Sequence, residues 1–201
     1  MEAERKEANP LYGLIVCGGQ SSRMGVDKSL LVYFDKPQRY YLYKMLKKIC
    51  SDVFLSLNKN QIEKGNYQII IDDKKYENIG PMSALLSAFE RYPNADFLVI
   101  GCDYPFIKTS ELQELIYQGI NENYGISFFN PESQFREPLL GIYKAQCCNN
   151  LKEQYLNGNY SLNQFLESVK AKKINPLNIE SLKSIDTIEE YNQTIKDLNN
   201  K

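Results

Sequence analysis

A segment near the start of the chain combines glycine, serine and positive charge in a way that suits a bound anion. Residues 18–28 read Gly-Gly-Gln-Ser-Ser-Arg-Met-Gly-Val-Asp-Lys and directly follow the apolar run 12–17. Glycines let backbone N–H groups approach an anion closely, and Arg23 and Lys28 add two positive charges. The pattern therefore predicts a loop after a strand that holds the phosphates of a nucleoside triphosphate.

The segment differs from the two best-known phosphate-binding loops. A Walker loop needs a glycine directly before its lysine, whereas two residues separate Gly25 from Lys28. The dinucleotide pattern G-x-G-x-x-G is also absent. A mobile surface loop with incidental charges is the alternative interpretation of the same residues.

The residue types that the chain lacks narrow its chemistry. It contains no histidine, which excludes Ser-His-Asp and Cys-His catalysis and every histidine-ligated metal site. Any chemistry must use carboxylates, lysine, arginine and backbone groups. Carboxylate oxygens suit a hard cation such as Mg²⁺.

Asp103 is the carboxylate best placed to bind such a cation. It follows the apolar run 96–101, and Pro105 comes two residues later. A carboxylate held at the end of a strand could ligate Mg²⁺ that bridges triphosphate oxygens. The same residue could instead cap a turn before the next helix.

Composition places the chain among ordinary globular proteins. Its 201 residues predict one domain over 11–201 after a flexible tail, 1–10. A net charge of −1 and the absence of any basic run argue against nucleic acid as a partner. The five cysteines form no C-x-x-C pair, and no apolar run is long enough to span a membrane. Without a secretory signal, these features predict a cytoplasmic protein with free thiols.

Strand-like and helix-like runs alternate along the chain, which favours an α/β sandwich with a mostly parallel sheet. We predict strands over 12–17, 52–57, 67–71, 96–101, 124–129, 139–143 and 173–175, and helices over 37–49, 81–91, 110–119, 145–156, 162–170 and 187–198, with capping boxes at Ser110 and Thr187. Such sheets bind ligands beyond the carboxyl ends of their strands. The Gly-rich segment, Asn58 and Asp103 all follow such ends, so we expect them to meet in one crevice.

The motifs and their order resemble the molybdenum cofactor guanylyltransferase family. The Gly-rich segment and Cys-Asp-Tyr-Pro at 102–105 carry the resemblance most specifically. Supporting segments are Gly-Pro-Met-Ser-Ala at 80–84, Arg-Glu-Pro at 136–138 and Asp-Thr-Ile-Glu at 186–189. The resemblance extends from about residue 14 to 191 and implies a three-layer, Rossmann-like fold of the nucleotide-diphospho-sugar transferase type.

The resemblance also implies an activity and a set of site residues. A member transfers GMP from GTP to the phosphate of molybdopterin, with Mg²⁺ as cofactor, and is expected to contact molybdoenzymes or accessory proteins of cofactor biosynthesis. The implied residues have four roles: catalysis by Arg23, Lys28 and Asp103; nucleotide binding by Cys17, Gly18, Gly19, Gln20, Ser21, Ser22, Lys28, Asn58, Asp73, Gly80 and Pro81; acceptor binding by Arg136 and Glu137; and metal binding by Asp103 and Asp186.

Several positions depart from the family pattern. Ala84 stands where the family has glycine, Asp186 where it usually has asparagine, and Ile188 where it has proline. The first two glycines of the loop are typical of the guanylyl branch, since cytidylyl-transferring relatives usually show Ala-Gly. Two alternatives stay open: a cytidylyl- or sugar-phosphate nucleotidyltransferase on the same fold, and a non-catalytic nucleotide-binding scaffold.

Overall fold

A seven-stranded sheet organises the protein. The computed structural model describes residues 9–18, 26–63 and 65–200. The strands are β1 (Leu11–Val16), β2 (Asp52–Leu57), β3 (Ile69–Ile71), β4 (Asp96–Gly101), β5 (Gly125–Asn130), β6 (Phe135–Tyr143) and β7 (Lys172–Ile174). The central strands β1, β2 and β4 are apolar along almost their whole length because helices cover both of their faces.

The strands lie in the order β3-β2-β1-β4-β6-β5-β7. β1 pairs in parallel with β2 and β4, and Val16 at its end lies opposite Ser56 and Gly101. Only β6 among these strands runs antiparallel to its neighbours β4 and β5. The carboxyl ends of β1, β2, β3 and β4 therefore share one edge of the sheet, which we call the site edge.

The described residues form six α-helices: α1 (Gln38–Leu46), α2 (Met82–Arg91), α3 (Thr109–Gln118), α4 (Cys148–Leu156), α5 (Leu162–Ser168) and α6 (Ile188–Asn199). The first five cover the two faces of the sheet, whereas α6 contacts residues 32 and 33 through Tyr191. One core cluster contains buried residues of α2, α4 and α5, and a second contains those of α1 and α3. Burial of these apolar layers is the main force that holds the sandwich together. The predicted three-layer architecture with a mostly parallel sheet is confirmed.

The two predicted capping boxes have different outcomes. Thr187 and Glu190 form one at the start of α6, as expected. The prediction for Ser110 is wrong, because α3 already begins at Thr109 and no side chain caps it. Ser110 lies exposed inside the first turn. The neighbouring Glu111 is buried and its carboxylate accepts hydrogen bonds from the backbone N–H groups of residues 177 and 178, at 2.9 and 2.8 Å.

Two further observations concern the ends of the chain and its helices. Residues 1–8 of the predicted tail lie outside the described residues, and residues 9 and 10 are exposed. Within the described ranges no helix is both long enough and apolar enough to cross a membrane.

Candidate active site

The site edge brings the predicted segments together through backbone hydrogen bonds between neighbouring strands. The N–H of Cys17 donates to the carbonyl of Ser56 at 3.1 Å, and the N–H of Cys102 donates to the carbonyl of Val16 at 3.2 Å. The segment that begins at Gly18 therefore leaves the sheet between the end of β2 and Asp103. Gly18, the described start of the Gly-rich segment, therefore lies in the middle of the expected crevice.

Most of the Gly-rich segment itself lies outside the described residues. Gly19, Gln20, Ser21, Ser22 and Arg23 belong to this part, so their roles stay predictions. Gly18 is described. A Cβ added there would lie 3.5 Å from Oδ2 of Asp72 and 3.7 Å from the backbone nitrogen of Asn58, which are ordinary contacts. The fold itself therefore tolerates a methyl group at position 18.

The residue beside Gly18 is Asp72, whereas the sequence pointed to Asp73. Asp72 accepts hydrogen bonds from Ser56 Oγ at 2.7 Å and Ser83 Oγ at 2.8 Å, and burial raises the pKa of its carboxyl group. Asp73 instead caps a short 3₁₀ turn through a hydrogen bond from the N–H of Lys75, at 3.0 Å. Asp72 is therefore a further candidate for the nucleotide site, and the role of Asp73 stays a prediction.

The Gly80-Pro81 segment lies directly before α2, whose first turn carries Ser83. Gly80 has a left-handed backbone with φ of +67°, a conformation that favours glycine. Its carbonyl accepts a hydrogen bond from the N–H of Ser83 at 3.1 Å. Ala84, the departure from the family pattern, packs its methyl group in the buried core beneath α2. Through the bond between Ser83 and Asp72, this segment joins the same side of the crevice as Gly18.

Lys28 is held at the other side of the crevice by a small capping motif. Asp27 accepts hydrogen bonds from the N–H and the hydroxyl of Ser29, at 2.9 and 2.6 Å, which fixes a 3₁₀ turn over Lys28–Leu30. Lys28 Nζ lies 2.8 Å from Oδ1 of Asp186, and 19% of the lysine side chain is exposed. The structure therefore unites two residues that are 158 positions apart, both of which were predicted for the site.

Asp103 lies beside this ion pair. The backbone N–H of Ile185 donates to the carbonyl of Asp103 at 2.9 Å, which brings the neighbouring Asp186 to the same corner. Oδ1 of Asp103 is buried and has no hydrogen-bond partner. A Cβ at Gly101 would collide with that oxygen, so the glycine makes room for the carboxylate. Burial raises the pKa of Asp103 from 3.8 to about 6, with a further rise from the charge of Asp186.

An unpartnered, buried carboxylate oxygen is a group that a cation would satisfy. Among the described residues no three His, Cys, Asp or Glu side chains converge to hold a metal ion by themselves. Asp103 and Asp186 offer oxygen ligands only, and Mg²⁺ usually takes one or two carboxylates and completes its shell with waters and substrate phosphates. The residues present therefore fit Mg²⁺ bound together with a triphosphate.

The predicted acceptor residues Arg136 and Glu137 have different surroundings. Glu137 accepts a hydrogen bond from the Tyr104 hydroxyl at 2.8 Å, and its charge acts on Asp103. Arg136 is 4% exposed. Its guanidinium donates to Glu167 at 2.9 Å, to Ser127 at 3.2 Å, and to the carbonyls of residues 171 and 172. These contacts occupy the Arg136 side chain among β5, β6 and β7 and favour a structural role. Its role in binding the acceptor stays a prediction.

The cysteines near the site are buried and poor nucleophiles. Cys17 and Cys102 are 5% and 8% exposed, and burial raises the pKa of both thiols well above the usual range. A thiol that stays protonated is inert. Cys17 therefore contributes its backbone to the site edge, and its thiol packs with the core of α1.

Gln61 was not predicted from the sequence, yet its side chain makes three hydrogen bonds at the site edge. Gln61 belongs to no motif, and a glutamine in a polar loop does not by itself indicate a functional site. Ser56 and Ser83 were also missed, although a serine inside the apolar strand β2 is a usable signal. A buried serine needs a hydrogen-bond partner, and here that partner is Asp72.

The sequence matches the family model described as the MobA-like NTP transferase domain over residues 13–174. A molybdenum cofactor biosynthesis bifunctional protein from Synechocystis is 32% identical over 187 residues, which are 92% of this chain and 53% of that protein. The chain thus spans about half the length of that relative. A molybdenum cofactor guanylyltransferase from Campylobacter jejuni is 28% identical over 188 residues, 92% of this chain and 95% of the relative. Another from the same species is 30% identical, over 74% of this chain and 78% of the relative.

Solved structures share the fold at low sequence identity. Molybdopterin-guanine dinucleotide biosynthesis protein A from Archaeoglobus fulgidus superposes with a TM-score of 0.77 at 16% identity, over 94% of this chain and 100% of the other. The CMP:2-keto-3-deoxy-manno-octonic acid synthetase complexed with CTP superposes with a TM-score of 0.68 at 10% identity, over 96% of this chain and 99% of the other. At these identities the likeness supports the nucleotidyltransferase fold alone.

Proposed function

Because this chain belongs to the MobA-like NTP transferase family and is a nucleotidyltransferase, we propose that it transfers GMP from GTP to the phosphate of molybdopterin. The bond between the α-phosphorus of GTP and the bridging oxygen to the β-phosphate breaks, and a bond to the acceptor oxygen forms. Pyrophosphate leaves, and the product is a guanine dinucleotide. The observation that carries the proposal is the cluster of Lys28, Asp186 and Asp103, in which the buried Oδ1 of Asp103 has no hydrogen-bond partner.

This reaction suits a chain without histidine. The acceptor phosphate is already an anion near neutral pH, so no general base has to remove a proton. Catalysis then consists of positioning the two substrates and stabilising negative charge at the phosphorus. Lys28, whose position is fixed by the turn that Asp27 caps, supplies one positive charge for this purpose.

We propose that Asp103 and Asp186 hold Mg²⁺ when the nucleotide binds. The ion supplies charge neutralisation of the triphosphate and orients it. Asp186 lies 2.8 Å from Lys28, so nucleotide binding would change the partners of both side chains. Asp103 would gain a partner for its buried oxygen.

The remaining site residues divide between the two substrates. We propose that Gly18, Asn58, Asp72, Gly80 and Pro81 contact the nucleotide together with the glycines and serines of the Gly-rich segment, and that Arg23 contacts its phosphates. Glu137 would face the acceptor. Molybdoenzymes or accessory proteins that receive the product, and a cytoplasmic location, stay predictions of the family resemblance.

Binding of nucleotides tests the proposal directly. Thermal midpoints are measured with MgGTP, MgCTP, MgATP and MgUTP, since a ligand that binds only the folded state raises the midpoint. We expect a selective rise with MgGTP, lost in Asp103→Asn. A rise with MgCTP or MgUTP instead would favour the cytidylyl or sugar-nucleotide alternative. Binding of MgGTP without pyrophosphate release in the presence of molybdopterin would favour a non-catalytic scaffold.

A further inference from the structure

Gln61 connects three separate segments of the site edge through one side-chain amide. Its Nε2 donates to the backbone carbonyl of Cys17 at 3.0 Å and to Oδ2 of Asp27 at 2.9 Å. Its Oε1 accepts from the backbone N–H of Asn58 at 3.0 Å. The two hydrogens of a primary amide point in fixed directions, so both donor bonds can form at once only when their acceptors are correctly spaced.

The two hydrogen-bond acceptors of Gln61 flank the Gly-rich segment in the sequence. Cys17 immediately precedes Gly18, and Asp27 immediately precedes Lys28. The amide of Gln61 therefore fixes the distance between the two ends of the Gly-rich segment. The other oxygen of Asp27 accepts from Ser29 and thereby forms the turn that carries Lys28.

The loop after β2 holds Gln61 in position for this role. The backbone N–H of Gln61 donates to the carbonyl of Asn58 at 3.1 Å, and the N–H of Asn60 donates to Oδ1 of Asn58 at 2.9 Å. These bonds close a tight turn directly at the end of β2. An ion pair also anchors this loop to α1, since the carboxylate of Glu63 lies 3.1 Å from the buried guanidinium of Arg39.

We propose that Gln61 is a positioning residue for nucleotide binding, which holds the two ends of the Gly-rich segment at the spacing that the triphosphate requires. It acts through Cys17 and Asp27 and does not need to touch the substrate. The inference rests on the proposed use of this segment as the triphosphate site. If it holds, loss of the two donor bonds weakens nucleotide binding without changing the fold.

Two substitutions separate this role from a general structural one. Gln61→Met keeps the length of the side chain and removes its three side-chain hydrogen bonds. Gln61→Glu keeps the bond from Asn58 but removes both donors, and it places a carboxylate beside Asp27. Like charges raise the pKa of a carboxyl group, and a protonated Glu donates one hydrogen bond. The other charged groups near this corner are Arg39, Glu63 and Lys28, and the Cys17 thiol stays protonated throughout.

The experiment measures the Kd of MgGTP for the unaltered chain and both variants between pH 6 and pH 8. We expect both variants to bind about tenfold more weakly at pH 8, since two hydrogen bonds are lost, one of them to a charged acceptor. Expressed relative to the unaltered chain at each pH, the defect of Gln61→Glu should shrink severalfold towards pH 6. The defect of Gln61→Met should stay constant.

Gln68→Glu and Gln68→Met are the matched controls. Gln68 also donates to a carboxylate, that of Asp52, but at the opposite edge of the sheet. We expect these variants to bind MgGTP as the unaltered chain does. Gln61 variants that bind normally, or a Gln61→Glu defect that does not depend on pH, would overturn the inference. An unaltered chain that fails to bind MgGTP would overturn the proposed function, and the inference with it.

Discussion

Replacement of Asp103 by asparagine should stabilise the protein at neutral pH in the absence of metal. Burial raises the pKa of Asp103 from 3.8 to about 6. An acid whose pKa is raised on folding binds its proton more tightly in the folded state. As the pH rises through this interval, the unfolded chain releases its proton first, and the free energy of unfolding falls.

The size of the effect follows from the two pKa values. A rise from 3.8 to about 6 corresponds to a loss of about 3 kcal/mol once the pH is above both values. Asparagine has the same shape and carries no charge, so Asp103→Asn should recover up to about 3 kcal/mol at pH 7.5. For a chain of this length that equals a rise of about 6–12 °C in the thermal midpoint.

The assay is urea or thermal unfolding with EDTA present at a series of pH values. The stabilising effect of Asp103→Asn should decline below pH 6 and vanish below about pH 3, where Asp103 is protonated in both the folded and the unfolded chain. Glu132→Gln, which removes a carboxylate from an exposed turn, serves as the control for net charge. An Asp103→Asn variant that is no more stable than the unaltered chain at pH 7.5 would refute the reasoning.

Four further substitutions test other parts of the site and its surroundings. Lys28→Met should lower pyrophosphate release by about 100-fold or more, because we propose that the lysine charge acts at the transition state, while the thermal midpoint changes little. Gly101→Ala should weaken the dependence of activity on Mg²⁺ and lower the thermal midpoint, since the new methyl group collides with the Asp103 carboxylate; Gly18→Ala, whose methyl group fits, should keep the midpoint unchanged. Arg136→Met should destabilise the fold by about 3 kcal/mol in urea unfolding, because it leaves the hydrogen-bond acceptors of a buried guanidinium without partners. If Arg136→Met instead has normal stability and a raised KM for the acceptor, the predicted role of Arg136 in binding the acceptor is supported.

The three-layer architecture and the mostly parallel sheet follow closely from the sequence. β2 and β4 are observed at their predicted residues, 52–57 and 96–101, because long apolar runs next to amphipathic helices have few alternative interpretations. The capping box at Thr187 was predictable because both of its polar partners are local. Shared strand ends also predicted that Asp103 and Gly18 would lie at one edge.

The directions of individual side chains and the pairing of residues far apart in the chain could not be predicted from the sequence. Asp72 and Asp73 are neighbours, and only the pleat of β3 decides which carboxylate lies beside Gly18. Arg136 was predicted to bind the acceptor, and nothing in the sequence indicated that carbonyls near β7, about 35 residues later, accept hydrogen bonds from its buried side chain. The pairing of Lys28 with Asp186 joins opposite ends of the chain and depends on the whole fold.

The central claim is that this site transfers GMP to a phosphate acceptor, and pyrophosphate release tests it most directly. The measurement follows release from MgGTP and from MgCTP, each with and without molybdopterin, for the unaltered chain and Asp103→Asn. The account predicts release only with MgGTP and molybdopterin together, and its loss in the variant. Release that needs no acceptor, that prefers MgCTP, or that persists in Asp103→Asn would contradict the account.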